Sequence, residues 1–284
     1  MKKVLLGALA IGMIAFSSCK KDDEGNGLNG ELEPAMIQRA LVWETTGAWC
    51  GYCPNGAEMM KVSEHQYGNQ IIPIAYHTGD DLSTPAGNTL SSNFPTSGVP
   101  NFYVNNQDAG QSINGYIASS IAQTPKAAVG HQWSKEGTTY NVTAKANFYA
   151  GDQGSYYMGV YFLSGPIAAT GSLVQSDFTD RLQNVNENGV MTTKWKVNAA
   201  NAGGTFLIQA GSTYKHEHTI AAAATENVWG EPIPSNVVSA GDQYILNFRL
   251  NAPAQMNHEE GNIVTILWKD SGNGSYQYIN GYIY

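Results

Sequence analysis

Charge is what this chain has least of. Only 13% of its 284 residues are Asp, Glu, Lys or Arg, about half of typical usage. The balance is acidic, 23 carboxylates against 15 Lys and Arg, for a formal charge of −8. That argues against a nucleic-acid backbone as partner, because phosphate binding rests on clustered cations. Cysteine is scarce too: Cys19, Cys50 and Cys53 are the three, which excludes a disulfide-rich scaffold. A single Cys-x-x-Cys with no second pair disfavours a structural zinc site, since two more good ligands are missing. The N-terminal apolar run, VLLGALAIGMIAF, has 13 residues, too short to span a bilayer comfortably. No internal repeat is visible.

What is present points outward. Hydrophobic residues make up 42% of the chain and aromatics 11%, with 31 Gly and 16 Tyr. This composition suits an exported, β-rich protein. The start, MKK followed by the apolar run, reads as a signal peptide over residues 1–18. The next residues, SSC, resemble a bacterial lipobox, so Cys19 is expected to carry lipid and to anchor the protein without a membrane helix. Residues 19–36 begin KKDDEGNGLNGELE from position 20 and read as a flexible tether. The expected location is the bacterial cell envelope, at the outer membrane, on either its periplasmic or its surface face.

Residues 37–125 alternate strand and helix signals. RALVWETT is a strand candidate, CPNGAEMMKVSEHQYG a helix candidate that ends at Gly68, and QIIPIAYH a buried strand candidate. Strand–helix–strand order predicts a parallel βαβ unit. VPNFYVNN adds a strand, and SINGYIASSIAQ carries Ile113, Tyr116, Ile117 and Ile121 at helical spacing. Over residues 126–284 the period changes to two: Tyr140, Val142, Ala144, Ala146 and Phe148 fall on one face, as do Tyr156, Met158, Val160 and Phe162. Short strands and Gly/Asn turns predict an antiparallel sandwich there.

The stretch ETTGAWCGYCP, residues 44–54, carries the chemistry. An envelope setting permits disulfides. A purely structural bridge usually closes a longer loop, because closing a short one removes little entropy. A redox pair is therefore favoured for Cys50 and Cys53. A helix start lowers thiol pKa, through unpaired N–H groups and the helix dipole. Cys50 is thus expected as the exposed nucleophile, and Cys53, three residues on, as the thiol that resolves a mixed disulfide. Trp49 and Tyr52 flank the sulfurs and are expected to form the lip that meets a client.

WCGYC after a strand resembles a thioredoxin active site. That resemblance implies two more roles. Glu44, six residues before Cys50, stands where such sites keep a buried acid that relays the proton of the second cysteine. SGVPNFYV places Pro100 like the cis-proline of that fold, which would turn the backbone of Val99 toward the cysteines to pair with an extended substrate. His77, at the end of the second strand candidate, would lie on the same edge and could tune Cys50 or touch substrate. A wider resemblance covers most of the chain: WETTGAWCGYCPNGA, IAYHTGDDL, GVPNFYVNN and YKHEH…ENVWGE are similar to the outer membrane protein 28-related lipoproteins. It implies an α/β thioredoxin-like domain followed by an all-β sandwich of immunoglobulin-like or jelly-roll type.

The resulting expectation is a membrane-anchored thiol–disulfide oxidoreductase. Its partners would be client proteins bearing thiols or disulfides and a second redox protein, and its only cofactor the Cys50–Cys53 pair itself. The alternative is a binding or structural lipoprotein whose sandwich takes protein or glycan. His216 and His218 form an H-x-H that would point both rings to one face of a strand, but without an identifiable third ligand no metal site is assigned.

Overall fold

In the computed structural model, residues 32–177, 184–185, 191–192, 206–207 and 214–284 are described. The expected signal peptide, Cys19 with its expected lipid, and most of the expected tether lie outside them. Their first half runs β1 (Ala40–Thr46), α1 (Cys53–Tyr67), β2 (Ile71–His77), α2 (Pro85–Leu90), β3 (Asn101–Val104), β4 (Gln107–Gly110) and α3 (Ile113–Ile121). The main strands that follow are β5 (Ala127–Glu136), β6 (Thr139–Phe148), β7 (Tyr156–Leu163), β8 (Ile220–Ala223), β9 (Gln243–Asn251), β10 (Asn262–Gly272) and β11 (Ser275–Ile283).

The first four strands form a sheet of order β2-β1-β3-β4. β1 and β2 run parallel, in register from Ala40 opposite Ile71 to Thr46 opposite His77. β3 runs antiparallel to β1, with Asn101 opposite Thr45. Three chain segments therefore meet at one end of the sheet: the turn after β1, the loop after β2 and the approach to β3. β1 and β2 are apolar on both faces, and every residue of both is buried. Ala40, Val42 and Ile71 point to one side and meet Met60 of α1 and Ile113 and Ile117 of α3.

The opposite side decides the architecture. Leu41, Trp43, Ile72, Ile74 and Tyr76 pack with Tyr161, Leu163, Val264, Ile266 and Trp268 in one cluster, to which Leu90 and Phe94 from α2 and the segment after it also belong. These partners lie on a second sheet of order β8-β7-β10-β11, with Glu231–Pro232 also paired to β7. The other face of that sheet, through Tyr156, Met158, Val160 and Phe162, meets Tyr140, Val142, Ala144 and Phe148 of a third sheet, order β9-β6-β5. The molecule is thus a stack: helices, sheet, sheet, sheet.

This corrects the expected fold class. The described residues hold twenty strands in several sheets and only three α-helices. They do not form an α/β thioredoxin-like domain followed by a free-standing sandwich. The physical reason lies in β1 and β2. Runs apolar on both faces read as parallel strands covered by helices on each side, but here one cover is another sheet. Burying a large apolar side chain is worth roughly 1.5–3 kcal/mol, so this interface is a major part of the molecule's stability.

The segment before β1 is docked. Glu33 accepts a hydrogen bond from the buried Lys145 ammonium at 2.6 Å, and Leu32 and Pro34 lie over Gly130.

Candidate functional site

The cysteines stand where the first sheet's three segments meet. β1 ends at Thr46, a turn follows in which the Cys50 N–H donates to Gly47 O at 3.0 Å, and α1 starts at Cys53. The helix thus begins at the second cysteine rather than the first. Pro54 occupies its first turn, where no N–H is needed.

Cys50 and Cys53 form a disulfide, with Cα atoms 5.4 Å apart. Cys50 is 4% exposed and Cys53 fully buried at 0%. The expectation of an openly exposed Cys50 sulfur is therefore corrected: the pair is nearly covered. Trp49 and Tyr52 beside it are exposed, at 54% and 40%. The Trp49 indole N–H donates to Thr78 O at 2.7 Å, which fixes its ring across the turn.

Pro100 follows a cis peptide bond from Val99. The Val99 carbonyl oxygen lies 3.6 Å from Cys50 Sγ. Val99, Pro100 and Cys50 are therefore brought together.

Glu44 is buried near the end of β1, on the face that α1 covers. A Cβ built on Gly56 would collide with Glu44 Oε1 and sit 2.9 Å from Pro100 Cβ. Gly56 is three residues after Cys53, one turn along the same helical face. Glu44 and Pro100 thus meet at that turn, beneath the disulfide. Among the described residues nothing hydrogen-bonds Glu44 Oε1. Burial pushes the Glu44 carboxyl up to about 8, so it holds its proton at neutral pH.

His77 is buried and does not present itself to a client. Its Nδ1–H donates to Asp80 Oδ2 at 2.8 Å, and that same oxygen accepts the Ala48 N–H at 2.7 Å. His77 therefore reaches the cysteine turn through Asp80. Burial opposes ionisation of Asp80, yet hydrogen bonds from His77, Ala48 and Leu82 and the His77 charge hold its carboxyl below the usual range.

His216 lies edge-on to His77, ring centroids 4.9 Å apart. Its Nε2–H donates to Leu173 O at 2.8 Å, and burial pushes its pKa down to about 4. His218 turns away, at φ 57°, to meet Glu64 at 3.0 Å. The H-x-H does not present two rings to one face, because the left-handed residue breaks the period of two. Among the described residues no cluster of three or more His, Cys, Asp or Glu is placed to hold a metal.

Sequence reasoning missed Gln175. This residue is fully buried, 0% exposed. Its side-chain amide donates to Cys50 O at 2.7 Å, Gly47 O at 3.2 Å and Ser176 O at 3.0 Å. The Ser176 N–H donates to Ala48 O at 2.7 Å. Nothing local marks it, since it lies 125 residues from Cys50.

No family model matches the sequence, and no curated protein matches it. Among solved structures, HBP35 of Porphyromonas gingivalis superposes with a TM-score of 0.62 at 16% identity, covering 89% of this chain and 76% of that chain. A protein from Agrobacterium tumefaciens superposes at 0.49 and 12% identity, covering 88% of this chain and 95% of its own. The likeness to HBP35 bears on fold alone. It runs across both halves of the chain, in keeping with one multi-sheet body rather than an α/β domain joined to a sandwich.

Proposed function

We propose that this chain is a thiol–disulfide exchange protein of the cell envelope, anchored by lipid on Cys19, that acts on protein thiols and disulfides. Membership of the outer membrane protein 28-related lipoproteins is part of the same reading. The observation that carries it is the Cys50–Cys53 disulfide with a buried Glu44 at the turn beneath it, whose Oε1 has no hydrogen-bond partner among the described residues. A structural staple has no use for a protonated acid there. A pair that opens does.

A client thiolate attacks Cys50 Sγ, the less buried sulfur, forming a mixed disulfide and breaking the Cys50–Cys53 bond. Cys53 leaves as thiolate into a site with no exposure to water, where an unneutralised charge is costly. The Glu44 carboxyl supplies the proton. A second client thiolate then attacks the client sulfur, forming the client disulfide and releasing Cys50. Two electrons pass from client to pair; the client protons go to solvent as its thiolates form, and solvent returns one proton to Glu44 and one to the released Cys50. Val99 O, beside Cys50, supports docking of the client backbone as an added strand, with Trp49 and Tyr52 as the apolar lip. The reverse sequence runs if the potential of the partner demands it.

Cys53→Ser tests the reading. Cys50 should then accumulate mixed disulfides in the native host, identifiable by mass spectrometry, and the wild-type pair should titrate in the range of catalytic dithiols. A pair that stays oxidised at potentials below about −300 mV is a structural disulfide, and that result sinks the proposal. The competing reading, a binding lipoprotein with a stapled turn, draws on the near-complete burial of Cys50.

A further inference from the structure

We propose that the segment Gly171–Ser176 is a latch over the disulfide turn, and that Gln175 is the positioning residue that closes it and so sets which reductants reach Cys50. The inference rests on the exchange reading above and deepens it. Three carbonyls of the turn that carries Cys50, those of Gly47, Ala48 and Cys50, accept from this one segment. The Gln175 amide takes Gly47 and Cys50, and the Ser176 N–H takes Ala48.

The segment is fastened at its other end as well. Ser172 Oγ donates to Asp81 Oδ2 at 2.6 Å, and Leu173 O accepts from His216. Asp80, next to Asp81, holds the Ala48 N–H. The turn is therefore clamped on both its carbonyl and its N–H sides. Opening the latch would uncover the turn but break these three hydrogen bonds to its carbonyls, which is unfavourable. The closed state is thus preferred, and attack on Cys50 waits on release. A client that supplied its own N–H groups to those carbonyls would open the latch at a lower penalty than a small dithiol could.

Stopped-flow reduction of the oxidised full chain tests this. Two thiolates of dithiothreitol end as its cyclic disulfide while Cys50 and Cys53 become thiols. Gln175→Met keeps the volume of the buried side chain and removes the donors. It should speed reduction by at least about tenfold, the loss of one or two net hydrogen bonds from the closed state. A bulky protein dithiol should gain more than dithiothreitol does. Ser172→Ala, on the exposed end, should give roughly a twofold to fivefold gain with an unchanged melting temperature. The latch is overturned if the variants melt lower yet react at wild-type rates, or if both reductants gain equally. If Gln175→Met fails to fold, Ser172→Ala decides alone: a wild-type rate refutes the latch. The rates are defined on the disulfide itself, so they answer the question even if no client is ever trapped.

Discussion

Glu44 sets two expectations at the scale of a single residue. Its carboxyl is pushed up to about 8 in the folded protein, by burial, against about 4.3 in an unfolded chain. The folded state thus binds more protons between those values. Stability from this group is fully present below about pH 4.3 and is lost as pH rises through about 8. Glu44→Gln removes the titration. Urea unfolding should show the wild type losing a few kcal/mol between pH 5 and 8.5 and the variant losing clearly less. The same variant should exchange thiols at least about a hundredfold more slowly, as general-acid help is withdrawn. A variant with the wild-type pH dependence of stability would show that the carboxyl is ionised in the folded state.

Residues differ sharply in how far the sequence reveals them. Glu44, Val99 and Pro100 were singled out through the resemblance of WCGYC and SGVPNFYV to a thioredoxin site, and the structure gathers them around the disulfide. Gln175 was not legible: a glutamine in a polar stretch carries no signal until the fold brings it to a carbonyl. His77 was legible as a neighbour but not as a buried residue, since its partner Asp80 is what turns it inward.

At the scale of the element, α1 carries a glycine that ought to weaken it. Exchanging an exposed helix-interior glycine for alanine normally gains about 1 kcal/mol. At Gly56 the new methyl would meet Glu44 Oε1 and Pro100 Cβ. Gly56→Ala should therefore destabilise by about 1–3 kcal/mol, measurable as a lower urea midpoint with an unchanged slope. A gain in stability would mean that the Glu44 side chain moves aside freely. The faces of the later strands were fully readable, because alternation leaves one solution: Tyr140 through Phe148 and Tyr156 through Phe162 share one core as their period of two demands. The bounds of α1 were readable as well: the candidate CPNGAEMMKVSEHQYG matches the helix Cys53–Tyr67 with Gly68 at its end.

For the whole molecule, the second sheet's dual role governs cooperativity. Trp43, Ile74 and Phe94 from the first half share a cluster with Tyr161, Ile266 and Trp268 from the second. A fragment spanning residues 32–125 would expose that whole surface to water. We expect it to show no cooperative thermal transition and to aggregate, whereas the full chain unfolds with the fluorescence and circular-dichroism transitions superimposed. An independently folding fragment would refute the shared core. Periodicity reveals that a strand is buried on both faces but not what buries it, and that single ambiguity accounts for the mistaken fold class.

The docked N-terminal segment fixes a heading. Leu32, Glu33 and Pro34 fasten to the sheet of β5, β6 and β9, at the opposite end of the stack from the α1–α3 layer. With sheets about 10 Å apart, this segment lies roughly 20 Å from the first sheet, whose end carries the disulfide. A chain docked in this way cannot swivel freely about Leu32. Whatever is joined at Leu32 therefore leaves from the outermost sheet, two layers from the sheet whose end carries the cysteines.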